Sequence, residues 1–216
     1  METIRKWIIA ASIIAASSYS AAAVTYGFYG ITNNDPSNIV IGQNQLSVTV
    51  DAIGTTQVVF DFFNSGPYPS SIAQIYFDGT TGFLDQNYAP SMINNGPGVS
   101  YSWGATPTNL PGGNSISPAF TAVMSAESNN PAPANGINPG ETVGLVFDLS
   151  AGKTYNDIIN ALNTASLRVG LHVQAIGTSG KSESFVSTPV VPAPRALMLA
   201  TIGMVVVGHL RRRVII

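Results

Sequence analysis

The sequence predicts an all-β chain: an antiparallel β-sandwich, immunoglobulin-like or jelly-roll, carrying one short helix. Three observations lead there. Apolar residues alternate with polar ones in seven separate short runs, the period of a strand that lays one face on a core. Clusters of Asn, Gly and Pro separate the runs, and these residues supply the backbone angles and local hydrogen bonds of tight turns. The composition, 45% hydrophobic with 9 Phe in 216 residues, gives enough apolar surface to offset the entropy of ordering the chain.

Taken in order, Leu46, Val48 and Val50 alternate with Ser47, Thr49 and Asp51. Val58, Phe60 and Phe62 face one way; Val59, Asp61 and Phe63 face the other. Ala73, Ile75 and Phe77 oppose Gln74, Tyr76 and Asp78, and Val99, Tyr101 and Trp103 alternate with serines. Phe120-Ala122-Met124, Val143 to Leu149 and Leu167 to Ala175 complete the series. Turns are expected at 33–36, 64–67, 94–98, 111–114 and 138–140, and a surface loop at 128–137. One segment departs from period two. Tyr155, Ile158, Ile159 and Leu162 form a helical stripe, with Thr154 or Asn156 as its N-cap. Immunoglobulin-like and jelly-roll connections satisfy this pattern equally.

Charge is scarce and segregated. Only 9% of residues are charged, against about 25% in an ordinary domain. Between Val24 and Val190 there are three basic residues (Lys153, Arg168, Lys181) and ten acidic ones, a balance of −7. Nothing basic clusters in the body, which excludes a nucleic-acid-binding face. With no cysteine, a disulfide framework is excluded as well.

The ends read as addresses, dividing the chain into 1–23, 24–188 and 189–216. Arg5 and Lys6, an apolar run from Trp7 to Ala16 and a small-residue stretch to Ala23 have the three parts of a secretory signal. Ala21 and Ala23 satisfy the small-x-small rule, so cleavage by signal peptidase is expected before Val24, after passage through the Sec translocon. At the other end, the Pro-rich segment 189–194 is stiff and cannot enter a sheet interior. The apolar run Ala196 to Leu210 follows, then Arg211, Arg212 and Arg213. Fifteen residues give roughly 22 Å of helix, short of the 30 Å hydrocarbon core, a difference that snorkelling or bilayer thinning absorbs. Three arginines hold the extreme end in the cytoplasm and leave the body outside. The plainest alternative is a permanent single-span anchor.

The tetrad Val191-Pro192-Ala193-Pro194, the apolar helix and the arginine cluster, combined with a signal peptide, resemble the PEP-CTERM sorting signal of bacterial envelope proteins. Ala193 stands where that family usually has an acidic residue. The resemblance implies recognition and cleavage near the motif by exosortase, a membrane sorting enzyme, and an association with exopolysaccharide and biofilm. Stretches of the body, 60–66, 75–78, 135–141 and 167–174, are similar to exported domains that carry the same tail. They imply a fold and a location without an activity.

Chemistry in the body is sparse. Nucleophilic catalysis needs a base beside Ser, Thr or Cys, and the body's one histidine, His172, sits on a strand beside Arg168 and Gln174. A structural role is expected for it. The same poverty of His and Cys argues against zinc. Asp61, Asp78, Asp85, Glu141, Asp148 and Asp157 lie at strand ends and turns. The loop 78–82 makes Asp78 and Asp85 the candidate calcium ligands, because calcium is held by six to eight oxygens that acidic loops and carbonyls can supply. The alternative is that the acids keep a weakly charged surface solvated. Tyr76, Tyr88, Tyr101 and Trp103, if exposed, would stack on sugars; if inward, they fill the core. The expectation is therefore an exported, non-enzymatic surface or matrix-associated protein with no catalytic residue and no cofactor. The alternative is a surface carbohydrate- or calcium-binding module.

Overall fold

The computed structural model describes residues 22–85 and 92–189. Eleven strands form two antiparallel sheets, with two α-helices. Sheet one contains, in spatial order, β1 (Val24–Tyr26), β3 (Leu46–Ile53), β4 (Gln57–Asn64), β9 (Thr142–Asp148) and β6 (Met92–Asn95). Sheet two contains β2 (Phe28–Gly30), β11 (Lys181–Ser187), β10 (Arg168–Ile176), β5 (Ser71–Asp78), β8 (Ala122–Ser128) and β7 (Tyr101–Trp103). The chain passes from β4 in sheet one to β5 in sheet two and returns from β8 to β9. Since β4 pairs with β9 and β5 with β8, one folded ribbon of two strand pairs runs through both layers.

The alternation read from sequence builds the core. Val48, Val50, Val58, Phe60, Phe62, Leu145 and Phe147 from sheet one meet Ile75, Phe77, Val169, Leu171, Val173 and Phe185 from sheet two, and all are buried. Phe77 lies edge-on to Phe60 at 5.2 Å and to Phe147 at 4.9 Å between ring centroids, and Trp103 meets Phe147 at 5.7 Å. On the other face of β4, Asp61 and Phe63 are exposed.

The expected helix is α2 (Tyr155–Asn163), and Thr154 is its N-cap. The Thr154 side chain accepts from the Asp157 amide while Asp157 bonds back to the Thr154 amide, a reciprocal capping box. Its apolar stripe buries Tyr155, Ile158, Ala161 and Leu162 at one end of the core.

The expectation of one helix is corrected by α1 (Pro36–Gln45), which starts inside the segment read as a turn at 33–36. Asp35 is its N-cap, accepting from the Ser37 amide at 3.0 Å, and Pro36 opens it. Asp-Pro begins a turn or a helix equally well. No apolar stripe betrays this helix, because the residues it buries are Asn38, Gly42 and Gln45. Gly42 faces the Phe185 ring so closely that an added Cβ would fall 2.2 Å from it.

Two poles result. At the α1 pole lie α1, the turn 177–180 and the loops 65–70 and 134–140, joined by Gly177 N–H to Pro69 O (2.8 Å) and Ser65 N–H to Gln45 O (2.8 Å). Buried Gln45, Asn64 and Ser70 hydrogen-bond one another there. At the α2 pole lie α2 and the turns 54–56, 79–85 and 149–154, joined by Leu149 N–H to Thr56 O and Asp85 N–H to Asp148 O.

Candidate functional site

β5 is buried along its whole length apart from Asp78, on both sides of the sheet. The reason is the segment 104–121, which crosses the outer face of sheet two as a strap. Its Ala105, Leu110 and Phe120 pack on Tyr76 and Val186 of the sheet as a second small core. Gly170 makes this approach possible: an added Cβ would stand 2.7 Å from Leu110 Cδ2 and 3.0 Å from Phe120 Cζ.

The chemistry-bearing residues of sheet two hold this strap. Gln74 donates through Nε2 to Thr106 O and to Glu127 Oε1, both at 2.6 Å. Glu127 Oε2 accepts from the Thr106 amide at 3.1 Å, and the Tyr76 hydroxyl donates to Pro107 O at 2.9 Å. His172 Nδ1 lies 2.8 Å from Gln74 Oε1. At the other end of the strap Arg168 pairs with Asp78, donates to Pro118 O and Ala119 O, and stacks over the Phe120 ring. The neighbouring groove, about 250 Å³, is lined by Ser102, Gly104, Glu127, Asn129 and Asn130 among others. Here the polar residues serve as ties for a loop. Gln74 stands between His172 and Glu127, so the imidazole's Nδ1 meets an amide rather than a carboxylate or nucleophile.

Burial holds the His172 pKa below the usual histidine value, and the nearby Glu127 carboxylate only partly opposes this. The folded state therefore binds the proton less readily than the unfolded chain. Stability is complete above about pH 6.5, the free-histidine value, and falls as the pH drops below it because the unfolded chain is protonated first. In thermal melts from pH 7.5 to 5, His172→Gln is expected to decline less steeply than the parent. Parallel curves would show that His172 does not contribute.

The structure answers for several residues singled out by sequence. Asp78 has its carboxylate on Arg168. Asp85 joins the α2-pole turns through its amide. Glu141 accepts from Asn138, Asp148 from the Gln57 amide group and Asp157 from Thr154. Among the described residues no group of three or more His, Cys, Asp and Glu is placed to hold a metal ion. Asp61 and Asp78 lie on the outer faces of different sheets, with the core between them. Partial desolvation by its neighbours raises the pKa of the Asp61 carboxyl, and the charge of Asp51 adds to the rise.

Of the candidate sugar-stacking aromatics, Tyr76 is sealed under the strap, and Tyr101 is buried with its hydroxyl on Ile72 O. Trp103 is partly buried against the core, and Tyr88 lies outside the described residues. Among the buried polar residues that the sequence pattern does not single out, two tie elements together. Glu183 accepts from Thr32 Oγ1 (2.6 Å) and the Asp35 amide (2.7 Å), fixing the entry to α1. Gln45 holds the Tyr68 carbonyl. Both sit in polar sequence that alternation does not register.

Of the signal junction, Ala23 is exposed and Val24 is the first residue of β1. Ala21, the motif Val191 to Pro194, and Arg211, Arg212 and Arg213 lie outside the described residues, as does the apolar run between them. Among the described residues no helix is long and apolar enough to cross a membrane. No protein-family model, curated protein or solved structure matches the chain.

Proposed function

We propose that the chain is an exported, non-enzymatic protein of the cell surface or extracellular matrix, tethered by its C-terminal tail and processed there by an exosortase-type membrane enzyme. The observation that carries this reading is the tripartite tail: Val191-Pro192-Ala193-Pro194, an apolar run of fifteen residues and Arg211-Arg212-Arg213. An N-terminal stretch with the layout of a cleavable signal gives the opposite end a matching address. Its expected junction falls immediately before the first strand, so cleavage there would leave β1 whole. A scaffold role is supported by Glu141, Asp157 and His172, which are engaged in a turn, a cap and a strap tie. The folded ribbon of β4–β5 against β9–β8 favours the jelly-roll over the immunoglobulin-like connection.

Intact-mass analysis of the protein isolated from its native host tests the proposal. The expected product begins at Val24 and ends near Pro194. Material retaining residues through Ile216 would overturn the processing step.

A further inference from the structure

We infer that the folded domain meets the lipid surface with its α2 pole and carries its α1 pole outward. The inference rests on the proposed C-terminal tether and adds to it a defined orientation. Both ends of the described body leave from the α2 pole. At the N-terminal side, β1 runs antiparallel to β3 with Val24 opposite Val50, so Ala22 and Ala23 continue toward the turn 54–56. The Tyr155 hydroxyl of α2 donates to Val50 O at 2.9 Å, so the start of the mature chain at Val24, opposite Val50, lies beside α2. At the C-terminal side, β11 runs from the turn 177–180 at the α1 pole toward Ser187. Ser187 Oγ accepts from the Val169 amide (3.1 Å), and Thr188 N–H donates to Gly27 O (2.9 Å). The tail therefore departs beside the start of β10, where α2 hands over to the sheet.

Chain length turns this exit into a constraint. Six residues, 189–194, separate Thr188 from the apolar run and its leading Arg195. At 3.3–3.6 Å per residue they reach at most about 22 Å, and about 19 Å if extended as polyproline. Presenting the α1 pole to the bilayer would require the tail to double back along the domain. An eight-residue strand such as β3 or β5 is already about 26 Å long, and α1 with its loops lies beyond. The tether is too short for that. The exposed Val40 and Tyr68, which line a groove of about 490 Å³ beside α1, consequently face away from the lipid.

The absence of cysteine allows a direct test on the chain from Val24 to Ile216, which lacks the apolar signal run and can bind lipid through the C-terminal tail. Asn156→Cys on α2 and Thr178→Cys in the α1-pole turn, both exposed positions, are labelled singly with a fluorophore. Each is reconstituted in phosphatidylcholine–phosphatidylglycerol vesicles containing a headgroup-attached quencher. Strong quenching at position 156 with little at 178 is expected. Equal quenching, or the reverse order, in chains that float with the vesicles would overturn the orientation alone. Chains that do not float would overturn the tether and the orientation with it. Unchanged melting temperatures of the labelled variants establish that both retain the fold.

Discussion

Phe77→Ala is expected to lower the unfolding free energy of the chain by about 4 kcal/mol, within the 3–5 kcal/mol range for truncating a fully buried aromatic. Phe77 is the point where the layers interlock. It belongs to sheet two, yet its ring meets three phenylalanines of sheet one edge-on: Phe60, Phe62 and Phe147. Each such pair contributes about 0.5–1.5 kcal/mol beyond area burial. Removing the ring therefore leaves a void between the layers rather than a gap within one of them. Phe63→Ala, on the outer face of sheet one and 38% exposed, is expected to cost less than about 1 kcal/mol by the weaker burial of its ring. Urea denaturation of the two variants against the parent measures both. A Phe77→Ala loss no larger than that of Phe63→Ala would contradict the packing described.

The second large effect is expected from Arg168→Met. The side chains of Arg168 and Asp78 are 11% and 15% exposed, so solvent screens the pair weakly. Removing the guanidinium leaves the Asp78 carboxylate without its partner and frees the carbonyls of Pro118 and Ala119, which anchor the strap. Breaking a buried pair from one side costs about 3–5 kcal/mol. The double variant Arg168→Met, Asp78→Leu is expected to recover part of that loss, because no unpaired charge remains. Protease nicking between residues 104 and 121 offers an independent readout and is expected to accelerate in the single variant. A single-variant loss under about 1 kcal/mol would place the pair with ordinary surface bridges.

The core was legible in sequence because it rests on strict alternation. Val58-x-Phe60-x-Phe62 and Val143-x-Leu145-x-Phe147 point their apolar sets inward as period two requires, and α2 announced itself through a helical stripe and a capping Thr. Three features stayed hidden for physical reasons. Helix α1 buries Asn38, Gly42 and Gln45, so hydrophobic periodicity had nothing to report. β11 brings Glu183 and Ser184 into the interior as hydrogen-bond partners of Thr32, and polar residues in a strand read as a solvated face. The outer face of β5 reads as half-exposed until the strap is known to cover it. That contact joins Gln74 to Thr106 and depends on long-range folding. The described aromatics divided on the same ground: alternation placed Trp103 toward the core, whereas nothing local to Tyr76 foretold its cover.

The strand order also governs when this chain can become a globule. β5 sits between β8 and β10, and Arg168, the residue opposite Asp78, follows it by 90 positions. β4 has β3 at hand but waits equally long for β9. A chain that emerges head first thus lacks β9 and β10, which complete the pairing of β4 and β5, until residue 142 and beyond, and closing such long loops is slow. On the export route proposed above, the chain would therefore cross before its two sheets could close, and would set only once β9 and β10 had followed.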